Sequence, residues 1–99
     1  MRISFDGKLS GETVIETFEF GARLVVGETL STASTTAVVY SGTDSSPSSV
    51  ISGSASISGT HVTQAVTGGT TGNVYLLTCA VTTSLGQTLE MQGYLTIIP

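Results

Sequence analysis

Cys79, His61, the glutamates Glu12, Glu16, Glu19 and Glu28, and the glycine cluster from Gly68 to Gly72 are the places where this 99-residue sequence first suggests chemistry. A thiol becomes a nucleophile only when basic neighbours lower its pKa. Cys79 has none close in sequence, and it stands on the apolar side of an alternating stretch, so it reads as a small packed hydrophobe. A single cysteine forms no intrachain disulfide either. His61 is the only histidine, which leaves too few ligands for a zinc site. Serine is plentiful, yet no G-x-S-x-G elbow holds one as a nucleophile. Paired carboxylates hydrolyse glycosides when they flank a substrate, but acids spaced along one polar face are ordinarily just solvated. Gly68-Gly69-Thr70-Thr71-Gly72 lacks the Lys-Ser/Thr pair of a phosphate-binding loop and runs into Asn73-Val74, so its glycines serve a turn. No catalytic residue, metal ligand or cofactor is assigned, and the chain reads as non-enzymatic.

Composition points the same way. Hydrophobic residues make up 39% of the chain and charged residues only 10%, with Ser, Thr and Gly filling the difference. Ordinary soluble domains carry about 25% charge. Weakly charged, hydroxyl-rich surfaces of this kind are common in extracellular modules and virion structural proteins. Seven acids against three bases give a net charge of −4, and the bases, Arg2, Lys8 and Arg23, all lie near the start. A groove that tracks phosphates needs several cations on one face, so nucleic-acid binding is not expected. The opening MRISFDGKLSGETV has no uninterrupted apolar run of a signal peptide, and no stretch reaches transmembrane length. The expectation is a chain with no membrane partner.

The elements that would carry any function are strands. YLLTCAVTTSLGQTLEMQGYLTI, Tyr75 to Ile97, alternates with period two: Tyr75, Leu77, Cys79 and Val81 on one face, then Leu89, Met91, Leu95 and Ile97 after a polar turn. Leu30 to Tyr40, Val50 to Ile57 and Thr60 to Thr67 read as further strands, and Ser41 to Ser49 collects the turn residues of a loop. Turn signals near residues 42, 59, 69 and 86 punctuate elements too short for helices. One all-β domain over 1–99 follows, an antiparallel β-sandwich of about seven short strands, with 1–12 open to reading as an extended N-terminal arm. Residues 13–26 stay open between strand, loop and helix. Glu12, Glu16, Glu19 and Arg23 fall at helical spacing, whereas the β-branched and aromatic run Thr13 to Phe20, interrupted by Gly21, favours extended chain.

With no Trp and scattered Phe and Tyr, no clustered aromatic platform stands out. Tyr94 points away from the core on the period-two reading and is a candidate anchor for a partner. Phe18, Phe20 and Arg23 are the other candidates, as residues of a segment that serves either core or interface.

Three stretches in order carry a family resemblance: VVGETLSTAS (Val25 to Ser34), VTGGTTGNVYLLTCAVTTSLGQT (Val66 to Thr88), and a last amphipathic strand through YLTIIP. They resemble the Gly-Glu-Thr segment, the Gly-Gly-Thr-x-Gly turn before a Tyr-led strand, and the Thr-Ser-x-Gly hairpin of the tailed-bacteriophage fiber-tail adaptor proteins. About two thirds of the chain is covered. It departs from that family in FEFGARL and GKLSGE, where members carry an acidic residue followed by Trp and a Lys-Asp-Pro. The resemblance implies an immunoglobulin-like β-sandwich and a virion structural protein, made in the bacterial host cytoplasm, that bridges tail or neck to a fiber or tailspike, is partnered by tail, neck, fiber or capsid proteins and is present in symmetry-related copies. Capsid decoration and a surface carbohydrate-binding or adhesion module are the alternatives.

Overall fold

A side chain that alternates in and out of a core has to sit on a pleated strand, and two long hairpin-linked strands meet that condition most fully. Tyr75, Leu77, Cys79 and Val81 turn inward, as do Leu89, Met91, Leu95 and Ile97, and all eight are buried. The computed structural model describes residues 2–99 and places around this hairpin eight strands in all: β1 (Arg2–Ser4), β2 (Lys8–Leu9), β3 (Thr13–Glu19), β4 (Leu30–Ser41), β5 (Ile51–Ser58), β6 (His61–Thr67), β7 (Val74–Thr83) and β8 (Thr88–Ile98). Two 3₁₀ turns, Gly21–Arg23 and Pro47–Val50, complete the ordered elements.

The strands form two sheets. The larger runs β1-β8-β7-β4, with β2 also on β8, and the smaller runs β3-β6-β5. Pairing is antiparallel throughout except at one edge, where β1 and β2 lie parallel to β8. The antiparallel expectation therefore gives way in the N-terminal arm. This arm reaches its partner from across the sandwich instead of through a hairpin, so nothing forces it to reverse direction.

Residues 13–26 resolve into strand through Glu19 followed by the first 3₁₀ turn. The β-branched run suits the pleat, and Phe18 turns inward to complete burial. The helical spacing of the glutamates is a coincidence of sequence. Glu16 faces the layer between the sheets, opposite Gln64, whereas its neighbours Thr17 and Ile15 face out.

Between the sheets lies one apolar core that includes Phe18, Phe20, Val50, Val62, Val66, Tyr75, Leu77 and Leu95, all with no exposed surface. Each large side chain so buried contributes about 1.5–3 kcal/mol. The arm is seated by packing of its own. The Phe5 ring meets Phe18 edge-on at 5.3 Å and lies over Gly93, where a Cβ would come within 2.4 Å of it. Lys8 is 1% exposed, and its Nζ donates to the carbonyl oxygens of Leu9, Glu12 and Gly68 at 2.8, 2.8 and 2.6 Å. The lysine ties the arm to the turn before β7.

Gln64 brings a further polar group into the core layer. Gln64 is 1% exposed and donates through Nε2 to the carbonyls of Ser52, Gly53 and Ala65, which stitches β6 to the irregular part of β5. Its Oε1 and the Oε2 of Glu16 are buried without partners among the described residues. Burial, reinforced by the nearby Asp6 carboxylate, pushes the Glu16 carboxyl above its ordinary pKa.

Two outcomes follow. Gly93→Ala should destabilise the protein by roughly 2 kcal/mol, because the Phe5 ring must move off the core, read as a lower urea midpoint at unchanged slope. For Glu16 the folded state prefers the protonated acid. Stability therefore rises as pH falls through the elevated folded value toward the ordinary carboxylate range. Glu16→Gln should raise Tm at pH 7 and remove that rise, as measured by thermal melts across pH 4 to 8.

Candidate partner-binding surfaces

The side chains that suggested chemistry are dispersed. Cys79 is fully buried, and burial pushes its thiol up to about 11, the reverse of what a nucleophile requires. His61 Nδ1 stands 3.5 Å from Glu19 Oε2 at the surface. Glu19 is occupied in turn by the Thr60 hydroxyl and the Gly21 N–H, which together with the histidine hold its carboxyl below the usual range. Glu12 caps the Leu9 N–H, Glu16 faces inward, and Glu28 is buried at one end of the sandwich. The glutamates do not share one solvated face as the spacing suggested, because a strand alternates them and the turns carry the rest away. Among the described residues no three His, Cys, Asp or Glu side chains converge and no pocket opens. No helix among them is long and apolar enough to cross a membrane.

The four contact candidates divide. Phe18 and Phe20 have no exposed surface; they belong to the core and have nothing to offer a partner. Arg23 is exposed as the last residue of the first 3₁₀ turn. Tyr94 lies on the outer face of the larger sheet, where it joins a small cluster. Tyr40 from β4 meets it edge-on at 4.7 Å, and Arg2 stacks over its ring at 5.7 Å while donating to its hydroxyl at 2.7 Å. Arg2 Nε is bound to Gln92 Oε1 and Gln92 Nε2 to Thr78 Oγ1, so the row is fixed across three strands. Val38 and Tyr40 remain 53% and 57% exposed beside it, a patch of apolar surface on an otherwise hydroxyl-rich sheet. Tyr40 escaped the sequence reading because its neighbour is two strands away, and only the register of β4, β7 and β8 brings the two rings together.

A second surface caps one end. The turn between β3 and β4 and the hairpin between β7 and β8 present Val25, Val26 and Leu85, with Val26 wholly exposed. Beneath them Glu28, 5% exposed, accepts from the Thr83 hydroxyl, from the Val25 N–H and from Gln87 Nε2. These bonds, the Thr83 hydroxyl foremost, hold its carboxyl below the usual range. Ser84 and Thr29 add a reciprocal pair of bonds between the same loops. The apolar loop tips escaped the sequence reading: Val26 and Leu85 directly precede the turn glycines Gly27 and Gly86, and single apolar residues at turns are common enough to carry no signal until the fold sets them side by side.

The opposite end is pinned in the same manner. The Tyr75 hydroxyl donates to Asp44 at 2.7 Å and accepts from the Thr70 N–H at 2.9 Å, and Asn73 Nδ2 donates to the Thr43 carbonyl. Gly42 packs so closely on Asn73 that a Cβ would fall 2.0 Å from its side-chain oxygen, and its φ of +112° suits glycine alone. The Ser41 to Ser49 loop is therefore held to the body of the domain. Overall the molecule measures 43 × 20 × 20 Å, with the two pinned loop clusters at its ends.

A search of the curated proteins finds no match to this chain. A family model does match, and it extends over residues 8–96, reaching back to Lys8 through the segment where the sequence motifs departed from the expected pattern. With nearly the whole length of the chain inside that match, the protein belongs to the family described as podophage GP4 fiber-tail adaptor protein gp77.

Proposed function

We propose that this chain is a non-enzymatic adaptor in a phage particle, joining a tail or neck component to a fiber or tailspike through two separate surfaces. The observation that carries this reading is the pinning of both ends of an elongated body. An adaptor must transmit force between two partners without bending, and rigid loops bind without the entropy cost of ordering them. The Glu28 and Tyr75–Asp44 pins supply that rigidity at sites a long axis apart.

Strand order supports an immunoglobulin-like description of the body. Taken as strands B to G, β3 to β8 stand B-E-D in one sheet and C-F-G in the other. Charge favours protein partners over nucleic acid: Arg2 and Lys8 are committed to internal contacts, which leaves Arg23 and too little positive surface for a backbone groove. Repetition by the symmetry of the particle would let modest single contacts add up to firm attachment. The family match favours the adaptor over capsid decoration and over a carbohydrate module.

The test is quantitative mass spectrometry of purified particles. A copy number commensurate with the portal protein is expected, a number near that of the major capsid protein would replace the adaptor with decoration, and absence from intact particles would remove the reading altogether. The surfaces themselves are tested by Val26→Asp combined with Leu85→Asp. Both positions are exposed, so stability should change by no more than about 0.5 kcal/mol per site. Incorporation of the protein, or of fibers, into particles should fall about tenfold or more, the loss that a charge in an apolar contact produces. Normal incorporation would exclude this end as a contact.

A further inference from the structure

The sandwich has two flanks of opposite character. One is formed by β1, β2 and β3 and carries Arg2, Asp6, Lys8, Glu12, Glu16 and Glu19. The other, where β4 lies against β5, carries no charged residue in either strand or in the 3₁₀ turn between them. The two acids that bracket β4, Glu28 and Asp44, are both spent on internal hydrogen bonds.

Open sheet edges invite pairing with another chain, and folded proteins blunt them with charges, short strands, prolines or bulges. Three of the four edges here are blunted. The arm is broken into three- and two-residue strands, β3 bears Glu16 and Glu19, and β5 is interrupted by an irregularity beside Gly53, whose φ is +71°. The fourth, β4, is twelve residues long, LSTASTTAVVYS, with no charge, proline or glycine. Its register shifts lie only at its two ends, so residues 32–39 run regular. No backbone partner occupies its free side among the described residues.

We infer that β4 pairs antiparallel with β4 of a second copy of this chain, extending the larger sheets into one continuous sheet across a twofold axis at Thr36. Residues directly opposite in an antiparallel pair share a face, and Thr36 belongs to the outer row with Ser34, Val38 and Tyr40. The axis then sets Thr36 against Thr36, Ser34 against Val38 and Thr32 against Tyr40, with no like charges opposed. The acidic flanks end up on the outer sides, about 40 Å apart from the 20 Å width of each copy and several Debye lengths beyond mutual repulsion. The nine positions from Thr32 to Tyr40, the last of them at the bulge, span about 30 Å. Against the 20 Å thickness of the sandwich they cover about 600 Å² per copy, near the lower bound of specific interfaces. The dimer is accordingly concentration-dependent.

Analytical ultracentrifugation of the isolated chain from roughly 1 to 500 μM tests the pairing without reference to the adaptor role. The expected result is a monomer–dimer equilibrium with twice the 10.1 kDa chain mass at the upper end. Thr36→Lys sets two ammonium groups against each other and should weaken dimerisation about tenfold or more with thermal melting unchanged, whereas Thr36→Val should preserve it. Ser34→Lys, one outer row away, stands in if the first lysine perturbs folding. Hydrogen exchange should show protection of alternate β4 amides that grows with concentration. A chain that stays monomeric at every concentration overturns the inference, as does a dimer that ignores both lysines or leaves β4 amides unprotected.

Discussion

The hydroxyl of Tyr75 is the contact on which much of the molecule depends. Its ring fills the core beneath β8 and its oxygen emerges at one end, where it meets Asp44 and the Thr70 amide. One side chain therefore couples burial to loop geometry. A chain with no disulfide and few charges has no cheaper way to hold a nine-residue connector. Glu28 repeats the device at the other end with a carboxylate in place of a phenol, and Lys8 repeats it along the arm with an ammonium. Three polar groups, each taken out of water and each surrounded by partners, define the positions of nearly all the turns. This is the arrangement in which buried polar groups specify structure, since any alternative packing would leave them unpaired.

The strands were legible wherever the period of two was clean. Tyr75 to Val81 and Leu89 to Ile97 could be assigned to the core residue by residue, because a half-buried strand leaves no other pattern. The helix–strand ambiguity of residues 13–26 stayed open in the sequence, and the structure decides it: Phe18 packs inward from a strand, overriding the helical spacing of the acids. The outward direction of Tyr94 was legible too; its partners were not. Arg2 is 92 residues away and Tyr40 lies across two strands, and neither relation leaves a mark on the local sequence.

The pins were illegible for a related reason. Lys8 finds Gly68 across 60 residues and Glu28 finds Thr83 across 55, so each looks in isolation like an ordinary surface charge. Phe18 and Phe20 illustrate the converse. An apolar residue in an uncertain segment could equally serve core or interface, and only the closure of the second sheet decides for the core. Sequence thus conveys which faces are apolar and leaves unsaid which polar groups are spent inside.

The parallel arm bears on how the fold is reached. β1 pairs with β8, so the first strand in the chain must wait for the last: Arg2 meets Gln92, 90 positions further along the chain. During synthesis the inner hairpins can form while the arm has no partner, and closing so long a loop is slow relative to local pairing. Contacts of an arm that docks last lie outside the folding nucleus, and they would then govern how fast the finished fold comes apart and hardly at all how fast it forms. In a particle under mechanical load, the durability of this domain would rest on two short strands, a phenyl ring and a lysine.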